Sequence, residues 1–424
     1  MIDHSRESGR TPSRDTIEHD DFPDSARRRN VMVTCIAAAI ASIGFLFVIP
    51  IFPLYIQTLI DGDLAEAAAW SGLAIGISPM LSASTGPFWV WLGQRVGQKA
   101  MLIRSVAAIG LATAFMAFAT HPIHLVLDRV IIGLFGGIPV ASMAAITASA
   151  RRHELGRAIA MLQSAQQFGP TIGPLLGGAL ATFFGFRSSF IVAAALFGAA
   201  CVVTSVMYRN PPQVEPSPRR AGESSGAKPR TLRFWAPLAA LFTANFVDGS
   251  FMSLLPVVIG PLGAPAESIT LIAGAGVSVA GIAVVCAANV AGRLDGRIPA
   301  FSFIAPALAL AALLVFGLLL VDSWWQFVTV RVLIALVAGS VPTLAFSAAA
   351  NQASSSERAT AVGVATSVGM LGWAASPYIS GLMVGIGLHW LYAGAGIAML
   401  LASVLVWFAG RTAESGVGLD SGSP

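Results

Sequence analysis

"QQFGPTIGPLLGGAL", residues 166–180, holds four glycines, two prolines and no charge. Glycine and proline are the poorest helix formers, so a helix in water has little use for this stretch. In a bilayer the logic reverses. Helices in lipid associate through close approach of small residues. Backbone groups freed by proline are satisfied there by neighbouring helices. Gly169, Gly173 and Gly177 recur every four residues and form a smooth groove on one helix face, while Pro170 and Pro174 loosen the same helix. The stretch reads as a close-packed seam that bends inside a membrane.

The rest of the chain points to the same solvent. Of its 424 residues, 55% are hydrophobic and only 11% are charged. Its mean hydropathy is +0.76. A soluble domain carries about 25% charge. This composition excludes a soluble enzyme and points to an all-α integral membrane protein. Apolar runs long enough to cross a ~30 Å hydrocarbon core fall at 31–60, 70–93, 100–120, 122–149, 157–182, 185–208, 234–260, 267–291, 299–321, 324–349, 358–384 and 389–410. That predicts twelve transmembrane helices. Residues 1–30 carry many charges of both signs and read as a disordered cytoplasmic tail rather than a secretion signal. Residues 411–424 read as a second tail. Cys35, Cys201 and Cys286 all fall inside expected helices, with neither a disulfide framework nor metal-type spacing.

Charge placement gives an orientation. Arg27 to Arg29, Arg95, Lys99, Arg151, Arg157, Arg209, Arg293, Arg297 and Arg358 share one side with the N-terminus. Arg187 stands on the other, where the loops carry Asp61, Asp63, Glu66, Glu267 and Asp322. Cytoplasmic loops are enriched in Lys and Arg, so both termini are expected in the cytoplasm of a bacterial inner membrane. Trp70, Trp324, Trp325 and Trp390 fall at outer helix ends and Trp89, Trp91, Trp235 and Trp407 at inner ones, as interfacial belts require.

The longest polar stretch after the tail, residues 209–233, is rich in Pro, Ser, Gly and Arg and reads as a cytoplasmic linker. It divides the chain into bundles at 31–208 and 234–410. The two repeat at an offset of 203: Pro53 maps to Pro256, Gly93 to Gly296, Pro139 to Pro342, and Gly169, Pro174 and Gly178 to Gly372, Pro377 and Gly381. Arg129 and Arg331 agree within one residue. Two parallel six-helix repeats form the plan of a rocking transporter with a site between its halves.

Three motifs carry a family resemblance. "PFWVWLGQRVGQKAMLIRS" (87–105) has Arg95, Gly97 and Lys99 where a known inner-gate loop has them, although Gln94 replaces the usual aspartate. A weaker copy, "AGRLDGRI" (291–298), retains Asp295. "DRVIIGLFGG" (128–137) supplies Arg129 and Gly133 of an Arg-x-x-x-Gly motif. Gly169, Gly173, Pro174, Gly177 and Gly178 match a Gly-x-x-x-Gly-Pro-x-x-Gly-Gly pattern. Together these resemble the major facilitator superfamily, and within it the twelve-helix drug:proton antiporters. The resemblance implies export of small amphipathic compounds in exchange for protons by alternating access. It also implies a monomer, with a proton gradient as energy source and no cofactor. A dedicated exporter of one metabolite, such as a siderophore or sugar, and an uncoupled facilitator or sensor are alternatives on the same fold.

Buried ionisable groups are costly in a bilayer, so each is a functional candidate. Asp248 lies deep in the seventh span and Asp128 and Arg129 in the fourth; these are the candidate proton-coupling residues. Asp248 is either the proton site or the partner of an arginine on a neighbouring helix. Arg331 reads as structural. Gln163, Gln166, Gln167, Asn245 and Trp373 are candidate cavity residues, offering hydrogen bonds and one aromatic face to an amphipathic substrate. The seam of 169–178 is expected to meet a similar surface on the eighth span at Gly274, Ser278 and Gly281. No metal site, nucleotide-binding loop or nucleic-acid surface is expected; the expected partners are a small-molecule substrate and the bilayer.

Overall fold

The computed structural model describes residues 23–60, 63–151, 154–211, 231–295, 297–352 and 358–417. The expected linker therefore lies largely outside the described residues, as do residues 1–22 and 418–424 of the two tails, Asp61 and Gly296. The described residues form helices α1 (Asp24–Phe47), α2 (Phe52–Ile60), α3 (Leu64–Val96), α4 (Gln98–Met116), α5 (Pro122–Phe135), α6 (Ile138–Ser149), α7 (Leu155–Gln166), α8 (Phe168–Phe184) and α9 (Phe186–Met207). Beyond the linker follow α10 (Leu232–Ile259), α11 (Ile269–Leu294), α12 (Ala300–Gly317), α13 (Trp324–Ala338), α14 (Val341–Asn351), α15 (Arg358–Ile386) and α16 (Leu388–Val417).

Among the described residues, ten helical segments are long and apolar enough to cross a membrane. The other two expected spans are helical as well: 157–182 is divided between α7 and α8, and 358–384 lies inside α15. Four expected spans are each two helices, and each break has a local cause. Pro53 follows the turn between α1 and α2. Gly137 adopts left-handed backbone, φ 74°, between α5 and α6. Pro139 and Pro342, which correspond in the repeat, open α6 and α14, where a missing N–H costs least. The α7–α8 break falls at Gln167, three residues before Pro170.

Packing follows the repeat. In the first half α1 packs on α8, α3 on α5 and α4 on α9. In the second, α10 packs on α15, α11 on α13 and α12 on α16. An offset of 203 converts one set into the other. The halves meet chiefly along two symmetry-related contacts, α8 on α11 and α3 on α15.

The first helix begins earlier than the sequence suggests. Residues 24–30 belong to α1 rather than to a tail, and Arg27 and Asn30 are buried. Hydrogen bonding explains this. Asn30 Nδ2 donates to the Arg209 carbonyl at 2.6 Å, and Asn30 Oδ1 accepts from the Arg209 N–H at 3.0 Å. Arg27 Nη1 donates to the Ser149 carbonyl at 3.4 Å, and Asp24 pairs with Arg151 at 2.7 Å. At the other end of the chain α16 continues past residue 411 to Val417. Asn30→Ala removes both side-chain partners of the part-buried backbone N–H and carbonyl of residue 209 and is expected to lower stability by ~1 kcal/mol. Thermal unfolding in detergent, compared with wild type, measures it.

Candidate functional site

The opening stretch places two different faces on two different helices. Gly169, Gly173 and Gly177 lie against Ser42, Ile43 and Phe47 of α1, inside their own half. Pro170, Pro174 and Gly178, the adjacent face, meet α11 across the interface. This corrects the expectation that the glycine groove itself faces the eighth span. Proline explains the division. Pro170 has no N–H for the Gln166 carbonyl, four residues back, and Ser42 Oγ of α1 donates to that carbonyl at 2.6 Å instead. Pro174 likewise leaves the Pro170 carbonyl free, and this oxygen lies over Gly281 of α11. The Pro174 carbonyl lies over Gly274, and the Thr270 carbonyl over Gly178. Ser278 Oγ accepts from the Leu175 N–H at 3.0 Å, and the Thr182 and Thr270 hydroxyls meet at 2.6 Å.

A second seam, not foreseen in the sequence, repeats the first. Gly72 and Gly76 of α3 face the Pro377 and Ala374 carbonyls of α15, and Gly381 faces the Ala68 carbonyl. Both seams join the same end of the molecule, where the loops before Leu64 and after Phe184 lie. Towards the other end the four helices part. A Cβ on Gly86 (α3), Gly156 (α7), Gly292 (α11) or Gly363 (α15) would have nothing within 4 Å. The close backbone contacts between the halves thus lie towards one end, here the closed end, and away from the other, the open end.

Above the opening, the second half holds an ion pair. Asp248 of α10 accepts from Arg331 Nη2 of α13; the arginine side chain is 4% exposed and the carboxylate 40%. Both line a pocket with Asn245, Val284, Ala335 and Pro342. Asn245 Nδ2 donates to the Gly369 carbonyl at 3.2 Å. The Arg331 guanidinium also lies 5.3 Å from the Phe251 ring centroid. The arginine that the sequence suggests is structural is thus the direct partner of the candidate acid.

The first half is chemically different at the matching place. Arg129 is 2% exposed and lies over Phe52 and Phe45, 4.7 and 5.4 Å from their ring centroids. Phe45 corresponds to Asp248 at the repeat offset of 203. One arginine therefore faces an aromatic ring where the other faces a carboxylate. Asp128 is 4% exposed, and neither of its oxygens has a hydrogen-bond partner among the described residues. Phe45 and Trp373 approach across the interface with ring centroids 6.3 Å apart. Trp373 also lies beside Gly249, next to Asp248. The aromatic pair thus spans the gap between the two arginine centres.

The remaining candidates are dispersed. Gln163 and Gln167 are exposed where α7 gives way to α8, and Gln166 Nε2 donates to Ser142 Oγ at 3.4 Å. Gln94 and Arg95 are exposed at the open end, with Arg95 stacked 4.1 Å from the Trp91 ring centroid. Gly97 has φ 96°, a conformation that favours glycine. Lys99 donates its N–H to Asn210 Oδ1 at 3.0 Å, so the turn between α3 and α4 is tied to the residue that follows Arg209. Asp295 is exposed at the end of α11. Sequence reading missed Arg104, a half-buried cation in α4, because its place one turn inside the span resembles an interfacial residue.

Two repeated bundles of membrane-spanning helices, in close contact towards one end and with buried polar residues among their helices, are the plan of a membrane transport protein. The chain belongs to the Major Facilitator Superfamily, whose family model matches residues 34–323 and 303–423. It is 28% identical over 318 residues to the "Multidrug resistance protein MdtG" of Enterobacter lignolyticus (strain SCF1), covering 74% of this chain and 76% of that one. The protein of the same name from Salmonella typhimurium (strain LT2) is also 28% identical, covering 74% and 78%. Among solved structures, a bacterial homologue of the human lysosomal transporter Spinster, in its inward-facing and occupied conformation, superposes with TM-score 0.75 at 18% identity, covering 92% of this chain and 98% of that one. A D-xylose–proton symporter gives TM-score 0.67 at 14% identity, covering 90% and 97%. The fold is the twelve-helix fold of this superfamily.

Proposed function

We propose that this transporter exports small amphipathic compounds in exchange for protons, with 31–208 and 234–410 rocking about the interface. The observation that carries the reading is the half-exposed Asp248, held by Arg331 beside Asn245 in a pocket between helices. A charged Asp248 holds Arg331. A proton that neutralises the carboxylate releases that arginine, and a cationic group on a substrate competes for the same oxygens. Proton and substrate then occupy the site in turn, which is the condition for exchange. Phe45 and Trp373 supply an aromatic surface nearby, suited to the apolar body of such a substrate. The name of the MdtG relatives, multidrug resistance protein, agrees with this substrate class.

Orientation follows from charge. The open end carries Arg95, Lys99, Arg151, Arg157, Arg293 and Arg297, and we place it in the cytoplasm. On that placement the open end collects substrate from inside the cell, with both termini on that side.

Inside-out vesicles with a fluorescent reporter of the proton gradient test the reading. Lipophilic cations, neutral antibiotics and siderophores are added singly. Proton release with several unrelated compounds is the expected result. Release with one class alone replaces it by a dedicated exporter. Silence across the panel, with folded protein in the membrane, overturns it.

A further inference from the structure

A helix that stops inside a membrane leaves its last carbonyls without intrahelical donors, and lipid offers none. α5 stops at Phe135, two turns beyond Asp128 and Arg129, and Gly137 redirects the chain into α6. Neighbouring side chains answer the stranded carbonyls. Ser82 Oγ and Thr85 Oγ1 of α3 donate to the Gly133 carbonyl at 3.1 and 3.4 Å. Trp89 Nε1, also of α3, donates to the Leu134 carbonyl at 2.7 Å. Arg104 Nη2 of α4 donates to the Gly136 carbonyl at 2.9 Å and to Ser105 Oγ at 2.8 Å. The Arg104 guanidinium lies flat enough on Trp89 to sit 3.5 Å from its ring centroid. A cation at a helix C-terminus and a guanidinium over an indole are both favourable.

The second half does without this arrangement. Position 307, the counterpart of Arg104, is Ala307. The α13–α14 break is served instead by its own Ser340, whose Oγ donates to the Val337 carbonyl at 2.8 Å. The first half thus spends a membrane-embedded charge on a break that its twin holds with a hydroxyl. Arg104 Nε and Nη1 are buried with no hydrogen-bond partner among the described residues, so the charge is not there to satisfy a larger polar network.

We propose that Arg104 is a positioning residue: seated on Trp89, it fixes the bend between α5 and α6 and thereby sets where Asp128 and Arg129 stand. Removing it frees the end of α5, and the two residues shift with the helix that bears them. Lysine keeps the charge but neither the planar stack nor the fork of donors, so it restores the position only in part.

The test uses the full chain in lipid nanodiscs, with Arg104→Gln and Arg104→Lys beside wild type. Hydrogen exchange at the amides of residues 136–141 is expected to quicken about tenfold in Arg104→Gln and less in Arg104→Lys. Labelling by dicyclohexylcarbodiimide, located by mass spectrometry, is expected to change at Asp128 in Arg104→Gln, to return towards wild type in Arg104→Lys, and to stay constant at Asp248. Unchanged exchange overturns the proposal. So does faster exchange with unchanged labelling of Asp128, which makes Arg104 a local cap. Equal changes at both acids mean that the whole fold has loosened, and overturn it too.

Discussion

Asp248→Asn is expected to abolish accumulation of substrate against a gradient while downhill movement of the same compound continues. The substitution keeps the size of the side chain and one carbonyl oxygen for Arg331. It removes the charge, and with it the group that a proton and a cationic substrate contest. Arg331 is then left almost fully buried without a counter-charge. Breaking a fully buried pair costs ~3–5 kcal/mol; with the carboxylate 40% exposed, ~1–3 kcal/mol is the fair expectation here. That loss has to be separated from the loss of coupling. The double variant Asp248→Asn with Arg331→Gln relieves the stranded cation and is expected to recover much of the stability but none of the uphill transport. Proteoliposomes with an imposed pH gradient, read alongside thermal unfolding, distinguish the two. Concentrative transport by Asp248→Asn would remove this acid from the mechanism and leave Asp128 as the remaining candidate.

Gly274→Leu is expected to prevent the closed end from closing. A Cβ at this position overlaps the Pro174 carbonyl oxygen, which is backbone and cannot swing aside. Forcing extra methylenes into a packed contact costs ~1–3 kcal/mol, which corresponds to a shift of ~5–150-fold between two conformations. Spin labels at Phe184 and Glu267, both exposed at that end, report the distance between α8 and the start of α11. The distribution should move to longer distances in Gly274→Leu, with transport falling accordingly. Gly292→Leu is the control. It lies on the same helix where nothing stands within 4 Å, so it should leave the distances as they are. Equal distributions in both variants would mean that the seam does not decide closure.

The fold was legible because hydropathy is read by the solvent itself, and a run such as 185–208 has few alternatives. The helix breaks were less legible. Pro139 and Pro342 stood out only as marks of the repeat, and nothing in the sequence says that a helix restarts beside them. The seam shows the limit more sharply. A period of four picks out Gly169, Gly173 and Gly177, but a helix rich in small residues has several smooth faces. Which face meets which neighbour is a tertiary question: the stretch meets Gly274, Ser278 and Gly281 as expected, but through Pro170, Pro174 and Gly178 rather than through the glycine groove. The α3–α15 seam escaped notice because Gly72 and Gly76 sit in no recognisable motif. Asp248 and Arg331 were each visible as costly charges. A pairing of Asp248 with an arginine of a neighbouring helix was one of its two readings, but which arginine was not legible, since 83 residues separate Asp248 from Arg331 and only the packing of α10 near α13 brings them together. Arg104 was overlooked because a cation near a span's end is usually interfacial.

The closing surfaces have a thermal consequence as well as a steric one. Gly178, Gly274, Gly281, Pro174 and, on the twin seam, Gly72, Gly76, Gly381 and Pro377 have little or no side-chain freedom to lose. A gate closed by long side chains must still several rotamers each time it shuts. Here two already ordered backbones come into contact, and the number of accessible conformations hardly changes. On the proposed cycle the balance between open and closed is then set by the contacts themselves, the Ser278–Leu175 and Thr182–Thr270 hydrogen bonds among them, and by the lipid around the helices. On the cycle proposed above, such a gate would work near balance, where occupation of the Asp248 pocket could tip it.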